Sequence, residues 1–164
     1  MMGEIKMNKD YTDITLLLDR SGSMGSIKAA TIEGINSFIR DQRKVSAKCT
    51  LSLTQFDDRY EVNYVATDIN SAEFLNEKTY EPRGCTALRD ALARSIDETG
   101  ARLDALPESE RPCKVIFVVI TDGAENASKE ISQRDVAGKV KVQEETYKWK
   151  FVFMGANIDT FATA

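Results

Sequence analysis

Asp19, Ser21 and Ser23 stand at alternate positions in Asp19-Arg20-Ser21-Gly22-Ser23, the first stretch of the chain whose residue types could do chemistry. In an extended turn alternate residues project to one side, so a carboxylate and two hydroxyls converge there, while Gly22 lets the backbone curl without a Cβ clash. Two more oxygen donors lie far along the chain. Thr86 follows the break at Gly84, and Asp122 ends the most apolar run, just before Gly123. Five oxygen-bearing side chains from three segments suit an octahedral hard cation, magnesium or manganese, which takes oxygen ligands at about 2.0–2.1 Å and keeps some of its water. Calcium is a third candidate. Each residue also has a plainer role: Asp19, Ser21 and Ser23 could cap a helix starting near Ile27, Thr86 could cap the helix after it, and Asp122 could be a turn residue. The claim of a metal centre rests on their convergence.

The composition removes most other chemistries. None of the 164 residues is histidine, which excludes Ser-His-Asp and Cys-His catalysis, histidine-ligated zinc or haem, and an imidazole proton switch. Neither G-x-S-x-G nor G-x-G-x-x-G occurs, and the glycines and lysine of Gly22 to Lys28 lack phosphate-loop spacing. An aspartate ending a first strand also opens the site of haloacid dehalogenase-like phosphohydrolases, the leading enzymatic alternative. Those need a second aspartate two residues on as acid and base, where this chain has Ser21. The expectation is therefore a protein that is not an enzyme.

Lys and Arg number 22 against 26 Asp and Glu, a net charge of −4 without basic blocks. Such a balance leaves no footprint for nucleic acid or an anionic membrane surface. The opening residues Met1 to Lys6 hold no signal-peptide core, and no run approaches the roughly 18–20 apolar residues that cross a bilayer. A cytoplasmic location is expected. Cys49, Cys85 and Cys113 are odd in number and widely spaced, so they read as reduced packing thiols, with Cys85 half-buried.

The elements that must position these residues can be read from periodicity. Residues 1–11 are polar and expected as a leader; residues 12–164 make the domain. Asp13 to Leu18 is a buried strand, and Ile27, Thr31, Ile35, Phe38 and Ile39 mark an amphipathic helix. Residues 47–56 and 60–66 alternate as a hairpin about Asp57-Asp58-Arg59, and Phe74 and Leu75 suggest a short helix. A second long helix runs from Thr86 to Leu106 and is closed by Pro107. Val115 to Ile120 is a central strand, 128–147 a polar helix, and Phe151 to Met154 a last strand. Strand and helix alternate apart from the one hairpin, so the fold class is α/β, a sandwich with helices on both faces of a mostly parallel central sheet and one antiparallel edge strand. Ligands of such sheets bind beyond the carboxyl ends of the strands.

With that order of motifs the chain resembles the von Willebrand factor A domain, a Rossmann-like three-layer fold whose metal-ion-dependent adhesion site reads D-x-S-x-S, then a distant threonine, then a distant aspartate. Asp19, Ser21 and Ser23 match the first part, Thr86 in Gly84-Cys85-Thr86-Ala87-Leu88 the threonine, and Asp122 in Ile120-Thr121-Asp122-Gly123 the aspartate. Cys85 stands where the family often has a second glycine. The family's last helix and edge strand are expected to be missing after Met154, as in a truncated or minimal variant. The resemblance implies Ser21, Ser23 and Thr86 as direct ligands and Asp19 and Asp122 as ligands through water. It also implies a function: a protein-protein interaction module that binds a partner's Asp or Glu through the divalent cation. A scaffold subunit with an idle site is the third expectation. The oligomeric state is not legible in the residues.

Overall fold

The strand β1, Asn8–Asp19, lies at the middle of a five-stranded sheet. The computed structural model of the chain describes residues 8–45, 47–121, 128–129 and 131–154. A 3₁₀ turn, Gly22–Ile27, leads into α1, Lys28–Arg43, then the hairpin strands β2, Lys48–Phe56, and β3, Tyr60–Asp68. A long loop precedes α2, Leu88–Asp104; β4, Pro112–Ile120, α3, Gln133–Glu145, and β5, Lys150–Met154, follow. The sheet order is β3-β2-β1-β4-β5, parallel throughout except for the edge pair β2/β3. This is the Rossmann-like α/β architecture expected.

Alternation along β1 sorts the core into two layers. Ile14, Leu16 and Leu18 pack with Ile35 and Ile39 of α1 on one face. Leu17 packs on the other with Leu88, Leu92 and Ile96 of α2 and Val136 of α3. Asp13 shares that second face and is wholly buried, bound by Thr50 Oγ1 at 2.6 Å and by Arg102 of α2 at 2.8 Å. A buried carboxylate is tolerable only with such partners. Phe117 of β4 stacks on Trp149 and meets Phe151 at a tilt to fill the α2 and α3 side.

Register brings the parallel strands to one rim. Asp19 pairs with Phe56 and Leu18 with Ile120, and Ile120 in turn faces Met154. From β1 the chain crosses by α1 to β2 on one side, whereas α2 delivers it to β4 on the other. The order therefore reverses between β1 and β4, and the crevice outside such a reversal is where open α/β sheets bind ligands.

Four local expectations are corrected. β1 starts at Asn8, so the end of the expected leader belongs to the sheet, where Tyr11 pairs with Lys48. Phe74 and Leu75 form no helix: the Asn36 side chain donates to Leu75 O and accepts from Leu75 N, both at 2.8 Å, replacing helical bonds. The second long helix starts at Leu88 and not at Thr86. The third starts at Gln133, capped by Ser132; ahead of it Asp90 of α2 takes the backbone N–H groups of Lys129 and Ile131. Among the described residues no helix is long and apolar enough to cross a membrane.

Candidate metal centre

The first turn departs from β1 at the switch point. Asp19 is wholly buried, and its two oxygens are held separately: Oδ1 accepts from the Ser21 N–H at 2.7 Å and Oδ2 from Thr121 Oγ1 at 2.7 Å. The second bond joins the carboxyl ends of β1 and β4. Tyr80 donates its hydroxyl to Asp19 O at 2.7 Å, which seats the long loop under the turn. Met24 plugs the core on the α1 side and leaves Ser23 exposed above it.

Ser21 and Ser23 have their hydroxyl oxygens 3.2 Å apart. Two neighbouring ligands of an octahedral ion with bonds of about 2.1 Å lie about 3 Å apart, so this pair has the spacing of one coordination edge. The helix-capping reading does not hold. Ser21 sits at the N-cap of the 3₁₀ turn without a side-chain cap bond, and the N-cap position of α1 is Ile27. Thr86 is 2% exposed and lies outside α2, whose N-cap position is Ala87.

Backbone bonds stitch the loop of Thr86 to the loop of the serines. Gly22 N donates to Gly84 O at 3.0 Å and Arg83 N to Arg20 O at 2.6 Å, while Ala87 N donates to Asp57 O of the β2–β3 turn at 2.9 Å. Arg20 N donates to Phe56 O at 2.7 Å, tying the end of β1 to the end of β2. Gly84 has φ +76°, a conformation that favours glycine, and a Cβ there would stand 3.0 Å from Asp58 Oδ1 and 3.4 Å from Asp57 Oδ2. Asp19, Ser21, Ser23 and Thr86 are thus carried by adjoining loops at one rim. Asp122 lies outside the described residues, although its neighbour Thr121 is bound to Asp19.

The residues present fit a hard cation. Among the described residues no group of three or more Asp, Glu or Cys side chains gathers to hold an ion, so the described donors to an ion at this rim are hydroxyls backed by Asp19. Neutral hydroxyls beside the metal leave it under-neutralised and receptive to another anionic oxygen. The Asp19 carboxylate accepts from the protein at both oxygens, which fixes its orientation behind the hydroxyls.

Two features escape local spacing. Arg20, within the motif, points away from the serines: it is buried, with Nε 3.4 Å from Asp57 Oδ2 and Nη1 donating to Glu61 Oε1. Asp57, which reads as a hairpin-turn residue, is itself buried. Cys85 is exposed and not half-buried, because Thr86 beside it takes the inward position.

A three-layered α/β sandwich with hydroxyl and carboxylate side chains gathered at the switch point of its sheet defines the class of fold. The family model for the von Willebrand factor type A domain matches residues 13–160, and the chain belongs to that family. Solved structures agree on the fold. A manganese-loaded TRAP protein of Plasmodium vivax is similar at a TM-score of 0.62 and 16% identity, covering 93% of this chain and 61% of that one. Proximal thread matrix protein 1 from the mussel byssus is similar at 0.56 and 18% identity, covering 92% and 38%. The chain spans less than two thirds of either structure's length. No curated protein matches it.

Proposed function

We propose that the chain is a divalent-cation-dependent protein-binding module in which Ser21, Ser23 and Thr86 ligate Mg2+ or Mn2+ directly, Asp19 and Asp122 act through water, and a partner's Asp or Glu completes the shell. The observation that carries this reading is the Ser21–Ser23 hydroxyl pair at ligand spacing beside a buried carboxylate that helix capping does not explain. Family membership supports it, and the similar TRAP structure holds manganese. A bound ion would supply Lewis acidity toward a partner's carboxylate, while backbone bonds of the chain hold the loop of the serines against the loop of Thr86.

Catalysis is not part of the proposal. Both Asp19 oxygens are engaged by the protein, which disfavours a nucleophilic role, and Ser21 occupies the place of the acid and base a phosphohydrolase of the haloacid dehalogenase type requires. The test is capture from source lysate on the immobilised chain with Mn2+ and with excess chelator. Asp19→Ala combined with Ser21→Ala is expected to abolish cation-dependent capture while the circular dichroism of the fold persists. Capture that survives excess chelator overturns the reading.

A further inference from the structure

Asp57 lies outside the D-x-S-x-S pattern, yet both loops that carry the described donors converge on it. Its Oδ2 is 3.4 Å from Arg20 Nε and 3.4 Å from Arg83 Nε, and its Oδ1 accepts the Arg59 N–H at 2.6 Å. Arg20 lies between Asp19 and Ser21, and Arg83 lies just before Gly84. The Asp57 carbonyl receives Ala87 N, on the far side of Thr86. Gly84 passes so close that a Cβ would stand 3.4 Å from the carboxylate. Alternation explains the arrangement: in an extended turn Asp19 and Ser21 project to one side and Arg20 to the other, toward the end of β2.

We propose that Asp57 is the positioning residue of the metal centre, its buried carboxylate clamping the loop of Ser21 and Ser23 to the loop of Thr86 through Arg20 and Arg83. The proposal rests on the metal-binding reading above. Its physical basis is that a metal site loses affinity steeply when its ligands drift, and that partners behind the ligands commonly carry tenfold to hundredfold effects. Asp57 holds two guanidinium groups that sit on opposite loops, so neutralising it releases Arg83 and weakens the hold on Arg20. Glu61 keeps one hold on Arg20 from β3. Arg83 is more than half exposed and has no such reserve among the described residues.

Calorimetric Mn2+ titration and amide hydrogen exchange of the metal-free protein, on the full chain and on Asp57→Asn and Arg83→Met, test this. Asp57→Asn is expected to raise the Mn2+ dissociation constant at least tenfold and Arg83→Met several-fold. The Gly22 and Ala87 amides should exchange faster while the Leu17 amide of β1 keeps its protection, a pattern that general destabilisation does not produce. If Asp57→Asn does not fold, Arg83→Met alone decides, since it leaves Asp57 paired with Arg20. Affinity within twofold of the wild type, or unchanged exchange at Gly22 and Ala87 in every folded variant, overturns the clamp. A wild-type chain that takes up no Mn2+ overturns the metal reading instead, and the exchange comparison still decides whether Asp57 joins the loops.

Discussion

Gly84 shows how much of the centre depends on single residues. Its positive φ costs an L-residue about 1–2 kcal/mol, and the nearest obstruction to a Cβ is the Asp58 side chain, which is exposed and can give way. Gly84→Ala should therefore destabilise the fold by about 1–2 kcal/mol, read as a lower urea midpoint at unchanged slope. Gly34→Ala, inside α1 with nothing within 4 Å, should instead stabilise it by about 0.5–1 kcal/mol. Equal effects of the two would show that the backbone conformation at Gly84 carries no cost. At this scale the candidate donors were legible, because oxygen-bearing side chains at alternate positions of a glycine-containing turn announce a common direction. Arg20 and Asp57 were not. Asp57-Asp58-Arg59 has the composition of any hairpin turn, and its pairing with a side chain 37 residues earlier belongs to the tertiary fold and to no local period. Cys85 was misjudged for a related reason, since adjacent loop residues face opposite ways and only one of the pair can be inside.

The β2–β3 hairpin gathers the titrating groups whose protons burial holds back. Burial, with Asp13 and Asp68 nearby, pushes the Cys49 thiol from its ordinary 9.0 up to about 11. Burial likewise raises the Tyr60 phenol from 10.0 to about 12, with Ser95 opposing and Glu98 adding to it. Tyr64 rises from 10.0 to about 12 by burial and Glu73, against Arg43. In each case the unfolded chain releases its proton at lower pH than the folded one, so unfolding gains favour as pH climbs. The contribution of Cys49 is complete below pH 9 and is lost between 9 and about 11; those of the tyrosines go between 10 and about 12. The melting temperature should hold to about pH 9 and fall beyond it, with Cys49→Ala flattening the first part of the fall and Tyr64→Phe the later part. A melting temperature constant from pH 8 to 11 would contradict this. Element type was legible wherever period and length agreed, as in α1, β4 and the hairpin itself. It failed where a side chain from elsewhere supplied the backbone's hydrogen bonds: Asn36 at Leu75, and Asp90 ahead of α3. Such substitutions have no signature in a hydrophobic pattern.

For the molecule as a whole, the consequence of the proposed centre, drawn from chain segments far apart in sequence, is that the unfolded chain has no site. The donors at 19–23, 86 and 122 are separated by tens of residues, and only the β1/β4 reversal and the loop stitching bring the described ones to one rim. An ion that binds the folded form alone must stabilise it by mass action, about 2.7 kcal/mol at a free concentration one hundred times the dissociation constant. A chain of this length shifts its melting temperature by about 2–4 °C per kcal/mol, so saturating Mn2+ should raise it by roughly 5–10 °C. Ser21→Ala combined with Ser23→Ala removes two of the donors that the structure sets at ligand spacing, and should melt at one temperature in Mn2+ and in chelator. A shift retained by that variant would place the stabilising ion elsewhere. The absence of any shift in the wild type, at ion concentrations up to the millimolar range and with acetate added, would leave the family fold standing and remove the proposed metal-dependent function. Because the proposed site of neutral hydroxyls would hold its ion loosely until an outside carboxylate arrived, the same melt with added acetate should move further upward with Mn2+ than without it. That difference would measure the open coordination position directly.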